Sequence, residues 1–127
     1  WDQRTTYATR ALVRRRFNND PELLEGLAPM VRDRGDLTEL DEIATQLLAS
    51  NRTSGFRWVG YVAQMRGQSL EAYHMYLAAG DATSRMDAAE VALNAGWDDR
   101  ARDALKDLKT TGSGLTRYVG LRRRMGL

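Results

Sequence analysis

Phe56-Arg57-Trp58-Val59-Gly60-Tyr61-Val62-Ala63-Gln64-Met65-Arg66-Gly67 runs directly into Gln68-Ser69-Leu70-Glu71-Ala72-Tyr73-His74-Met75-Tyr76-Leu77-Ala78-Ala79. Before Gly67, Phe56, Val59, Gly60 and Ala63 recur at spacings of three and four, and after it Ala72, Tyr76 and Ala79 do the same. That is the period of an amphipathic helix on each side. Gly67 can take the left-handed conformation that ends a helix. The segment therefore predicts two helices joined by a tight turn.

The same pattern recurs along the chain. Gly35, Gly67, Gly96 and Gly126 stand 32, 29 and 30 residues apart, each after a helical stretch. Aligned on these glycines, Leu24, Leu27, Ala28 and Val31 match Phe56, Val59, Gly60 and Ala63. The third unit offers Ala88, Ala89 and Ala92, and the fourth Leu115, Tyr118 and Val119. Downstream, Leu40, Ala44 and Leu47, then Ala72, Tyr76 and Ala79, then Ala101, Leu105 and Leu108 follow at the same distances. Ala28, Gly60 and Ala89 share one offset, where two helices cross too closely for a large side chain. Helix pairs at a fixed period are the mark of a stacked repeat array.

The remaining composition agrees with an all-helical domain. Strand-like alternation is nearly absent, and only two prolines occur in 127 residues. Eight helices are expected, at about 3–17, 21–34, 37–50, 54–66, 69–80, 82–95, 98–110 and 114–125. They divide into a half repeat 1–20, repeats 21–52, 53–81 and 82–111, and a half repeat 112–127. Asp20 before Pro21 is a good N-cap with proline at the first helical position, and Asp98-Asp99 complement the positive end of a later helix. No run of about 18 apolar residues is present, so this segment contains no membrane-spanning helix. The chain opens on Trp1-Asp2-Gln3, without an initiator Met, which suggests a piece of a longer polypeptide.

Helix, glycine turn and helix, with small residues at the crossings and Asp20-Pro21 between units, resemble the tetratricopeptide (TPR) repeat family. The resemblance covers nearly the whole chain. It implies an all-α fold, a right-handed superhelix (solenoid) of antiparallel helix pairs whose first helices line a concave groove. The groove positions that it implies are Glu22, Glu25 and Arg32, then Arg57, Trp58, Tyr61 and Gln64, then Met86, Asp87, Glu90 and Asn94, then Thr116, Arg117 and Arg123. Of these, Arg57, Trp58, Tyr61, Gln64, Asp87, Glu90, Asn94, Arg117 and Arg123 are the candidate partner-binding residues, because aromatic and Arg side chains are enriched at interface hot spots. The chain departs from the family in three ways: its units are shorter than about 34 residues, Arg85 occupies an offset expected to be apolar, and Pro29 lies inside a helix that it should kink or shorten.

Catalytic constellations are hard to find. With no Cys there is no thiol nucleophile or thiolate metal site. The single histidine, His74, sits mid-helix without a second ligand at metal spacing, so neither a metal nor a cofactor is expected. In Thr111-Gly112-Ser113-Gly114 the third glycine of a phosphate loop is replaced by Arg117, which leaves an inter-repeat loop. Adjacent carboxylates such as Asp41-Glu42 and Asp98-Asp99 diverge on a helix. Asn51-Arg52-Thr53 fits a glycosylation sequon by chance composition. Nineteen basic against seventeen acidic residues leave only +2, which does not argue for nucleic acid. Seventeen of the nineteen are Arg, a skew that fits a GC-rich bacterial coding background. Arg14-Arg15-Arg16 and Arg122-Arg123-Arg124 read as solvated helix charge, with anion contact as the rival.

The expectation is a non-enzymatic protein-protein interaction scaffold. A degenerate, Arg-heavy, Cys-free array is also similar to the periplasmic repeat regions of bacterial exopolysaccharide export proteins of the outer membrane, such as those of Pel systems. That similarity implies a scaffold in biofilm polymer export that recruits a polysaccharide-modifying enzyme, a periplasmic deacetylase or hydrolase; outside such a system the array would be cytoplasmic. The alternative is direct binding of a carbohydrate polymer, with Trp58 and Tyr61 as stacking platforms and Arg residues on acidic groups.

Overall fold

The computed structural model describes residues 20–127. The helix expected over 3–17 and the triplet Arg14-Arg15-Arg16 lie outside the described residues. The described residues form α1 (Pro21–Arg34), α2 (Leu37–Ser50), α3 (Arg52–Met65), α4 (Ser69–Ala79), α5 (Ala82–Asn94), α6 (Asp98–Leu105) and α7 (Ser113–Arg124), with no strand among them. Each helix from α1 to α5 packs on the next in sequence, and α7 packs on α5.

Local chemistry sets where these helices begin. Asp20 accepts from the backbone N–H groups of Glu22 and Leu23, as its place before Pro21 predicts. Asp36, Asn51 and Asp81 cap α2, α3 and α5 in the same way. Because Asn51 is itself the cap, α3 starts at Arg52, two residues earlier than expected.

The four periodic glycines end helices in one geometry. Gly35, Gly67, Gly96 and Gly126 have φ of 75°, 77°, 81° and 78°. At each, the glycine N–H donates to the carbonyl three residues back and the next N–H to the carbonyl five residues back, at 2.7 to 3.4 Å. This Schellman closure satisfies the last carbonyls and reverses the chain. A turn repeated four times with the same bonds closes α1, α3, α5 and α7 alike.

Small residues sit where the pairs cross. Ala28 and Ala89 are fully buried, and a Cβ built on Gly60 would lie 2.9 Å from the Tyr76 ring. Gly55 is a further crossing, where a Cβ would meet the Leu48 backbone at 2.6 Å. The core divides into two clusters that meet on α3. Leu24, Leu27, Val31, Leu40, Ile43, Leu47 and Val62 form one; Ala63, Tyr73, Tyr76, Met86, Ala101, Leu105, Leu121 and several alanines form the other.

Two expectations are corrected. Pro29 does not shorten its helix, since α1 continues from Pro21 to Arg34. The helix expected over 98–110 stops at Leu105, and Leu108 is only partly buried. Arg85 supplies the reason: its Nε donates to the Ala104 carbonyl at 2.9 Å and its Nη2 to that of Lys106. Its long stem lies at the apolar offset while its head holds the carbonyls of the α6 terminus, and Asp107 then turns at φ 57°.

Candidate functional site

The first helices of successive pairs are tied to one another by polar side chains in register. Ten residues before its turn glycine, α1 carries Glu25 and α3 carries Arg57. Glu25 accepts from Asn51 Nδ2 at 2.7 Å and from Ser54 Oγ at 2.6 Å. Arg57 donates to Asp81 Oδ2 at 2.6 Å and to Ser84 Oγ at 3.1 Å. Asn51 and Asp81 are the N-caps of α3 and α5, and Ser54 and Ser84 are the residues whose N–H groups they accept from. Each first helix thus grips the capped start of the next.

The third junction is built differently. Met86 takes the offset of Glu25 and Arg57, but it is 2% exposed and belongs to the core, not to the groove in which its position placed it. Gly112, which precedes α7, makes no side-chain cap. A Cβ built on Gly114 would collide with the Thr110 hydroxyl and lie 3.7 Å from the Met86 methyl, so glycine leaves room there, and the thioether of Met86 has no N–H or O–H to donate as Arg57 does. Charge is supplied one residue later: Arg117 Nη2 lies 2.6 Å from Asp87 Oδ1 and 2.8 Å from Glu90 Oε2. Arg124 donates to Asn94 Oδ1 at 2.9 Å. That contact belongs to Arg124, whereas Arg123 is exposed beside Leu115, Thr116, Val119 and Gly120.

Electrostatics of this row follow from partial burial. Desolvation raises the Asp87 carboxyl above its ordinary value despite its bond from Arg117, and Glu90 adds to the rise. Burial opposes charge on Arg117 too, but its bonds to Asp87 and Glu90 hold the guanidinium charged. Asp81 is held below its ordinary value: burial works against its charge, but the bonds from Ser84 and Arg57 outweigh it. Tyr76 donates to Gln64 Oε1 at 2.7 Å, and its phenol is raised by burial first and by Asp87 and Tyr61 next. Arg57, Gln64, Asp87, Glu90, Asn94 and Arg117 therefore spend hydrogen-bonding capacity within the chain and stiffen the face.

Trp58 and Tyr61 stand apart from that ladder. Their rings meet edge to face at 5.9 Å, and the Arg32 guanidinium lies 5.7 Å from the Trp58 ring centre. Both aromatics are partly buried and pack with Leu23 against the α1–α2 cluster. They are partly exposed seam residues. The structure thus gathers Arg32, Trp58 and Tyr61 at the α1–α3 side and Arg57, Gln64, Asp87, Glu90 and Arg117 along α3, α5 and α7.

Residues that sequence reasoning did not place in the site include Ser54, Asp81, Ser84, Tyr76 and Arg124. The capped starts Asn51-x-x-Ser54 and Asp81-x-x-Ser84 carried a local signal; the reach of Arg124 to Asn94 carried none. Asn51, the sequon residue, is occupied by Glu25. His74 is exposed and edge-on to Tyr73 at 5.4 Å. No helix among the described residues is long and apolar enough to cross a membrane. No protein-family model and no curated protein matches the chain.

Proposed function

We propose that the chain is a non-enzymatic protein-docking scaffold, a right-handed superhelix of TPR-like helix pairs over 21–52, 53–81 and 82–111. The observation that carries this reading is the Arg32, Trp58 and Tyr61 cluster at the seam between α1 and α3, two partly exposed aromatic rings beside an exposed guanidinium that also pairs with Asp33 at 3.1 Å. Aromatic and Arg side chains bury large area while keeping polar handles, which suits an interface anchor. The ion pairs from Arg57 and Arg117 support it by making the neighbouring face rigid, so that little ordering cost falls on binding.

Following the resemblance to exopolysaccharide export proteins, the partner is a polysaccharide-modifying enzyme of a bacterial secretion system, held on the periplasmic side of the outer membrane. The test is affinity capture from an extract of the source organism, with wild type compared with a Trp58→Ala, Tyr61→Ala variant whose helicity is checked by circular dichroism. Arg32→Glu provides a variant outside the core. Capture of such an enzyme by wild type and its loss in both variants supports the proposal; equal capture by all three moves the interface elsewhere.

Direct binding of a carbohydrate polymer is the second reading, favoured by the same cation and aromatic pair. It predicts a Trp fluorescence change with oligosaccharide alone. Silence at millimolar sugar removes it.

A further inference from the structure

The connection into α7 differs from the others. Successive helices from α1 to α6 are joined by one to three residues, whereas Lys106–Gly112 put seven between α6 and α7. Fully extended, seven residues span about 23 Å. Bends of positive φ frame the segment: Asp107, the non-glycine residue of positive φ among the described residues, has φ 57°, and Gly112 has φ 61°. α1, α3 and α5 begin on side-chain caps from Asp20, Asn51 and Asp81, but Gly112 gives α7 none. At the first two junctions α2 packs on α3 and α4 on α5, while α7 takes its main support from α5.

What holds α7 to α5 is specific and does not pass through that segment. Arg117 pairs with Asp87 and Glu90, Arg124 donates to Asn94, and Leu121 is buried in the same cluster as Met86, Ala88 and Ala89. The cations belong to one helix and the acceptors to the other. An α7 delivered by a second copy would therefore form every one of these contacts unchanged, and no new complementary surface is required. Opening the segment also releases Asp107 from a left-handed conformation that costs a side chain more than it costs glycine.

We propose that α7 exchanges between two copies of this chain: Lys106–Gly112 opens, and Arg117 of each copy pairs with Asp87 and Glu90 of the other. The α5 face is then an interaction surface for a second copy, and the exchange is reciprocal, so the assembly closes on a two-fold axis. It joins two Trp58–Tyr61 clusters in one particle. The interface is separate from that cluster and stands whether or not the cluster binds.

The test is sedimentation of the chain after refolding from urea over a range of protein concentrations. Wild type is expected to show a monomer and a dimer whose share rises with concentration. Two variants follow the exchange itself: Arg117→Glu, and the double variant Asp87→Arg, Glu90→Arg, each checked for helicity by circular dichroism. Alone, each sets like charges against one another at the α5–α7 junction. Mixed and refolded together, they oppose unlike charges at both junctions only by exchange, and the mixture should hold about tenfold more dimer than either variant. Lys106 and Lys109 are the two lysines of the chain, so a lysine-specific protease cuts within the connecting segment. Cleavage should turn an exchanged dimer into nicked monomers. Three results overturn the proposal: wild type that is monomeric at every concentration, a mixture no more dimeric than its components, or a dimer that survives cleavage and is therefore held by surface contacts.

Discussion

Arg117 on α7 reaches Asp87 on α5 at 2.6 Å and, with the same nitrogen, Glu90 at 2.8 Å. Burial disfavours charge on both Arg117 and Asp87, so removing one partner costs more than the direct attraction between them. Since the Arg117 side chain is 33% exposed, solvent reduces the loss. Arg117→Ala is expected to lower unfolding stability by about 1 to 2 kcal/mol in urea titrations. Hydrogen exchange should quicken in α7 before α3, because α7 has fewer other attachments.

Asp87 and Asp81 give pH effects of opposite sign. The raised Asp87 carboxyl means that the folded chain binds this proton more tightly than the unfolded one. Its contribution is therefore present below the ordinary carboxylate value and is lost as pH rises through the folded one. The lowered Asp81 contributes above the ordinary value and loses that contribution as pH falls through its depressed one. Urea titrations across the acidic range should show that Asp87→Asn removes the first trend and Asp81→Asn the second.

Gly60 and Gly26 test opposite sides of helix packing. At Gly26 a Cβ meets nothing within 4 Å, so Gly26→Ala is expected to stabilise by about 0.5 to 1 kcal/mol through helix propensity. At Gly60 the same gain competes with a contact at 2.9 Å to a Tyr76 ring that is buried and tied to Gln64. Overpacking costs about 1 to 3 kcal/mol, so Gly60→Ala should lower the melting temperature while Gly26→Ala raises it.

The left-handed turns make a similar prediction. Gly96 has φ 81° with open space around its Cβ position, so only backbone strain opposes a side chain there. Gly96→Ala is expected to cost about 1 to 2 kcal/mol, and Gly67→Ala the same amount. Chemical denaturation of the two variants measures whether the turns are equivalent.

The legible features were those set by a few neighbouring residues. A left-handed turn needs glycine, so Gly35, Gly67, Gly96 and Gly126 marked the pairs; Asp20-Pro21 marked a helix start; Ala28, Gly60 and Ala89 marked the crossings. Features that depend on partners far along the chain were not legible. Arg85 broke an apolar pattern in sequence, but its use at the end of α6 depends on carbonyls 19 and 21 residues away. Met86 sits at the offset of Arg57, and only its packing with core residues from distant parts of the chain, Leu105 and Leu121 in the same cluster, shows that it turns inward. The resemblance placed Trp58 and Tyr61 in the groove, but both also pack against the α1–α2 cluster, because the α1–α3 seam uses a second face of α3.

The most direct test of partner docking is capture by wild type, by Trp58→Ala, Tyr61→Ala and by Arg32→Glu, all of equal helicity. The proposed scaffold predicts that one polysaccharide-modifying enzyme is retained by wild type and lost from both variants. Retention of the same enzyme by all three proteins would contradict it.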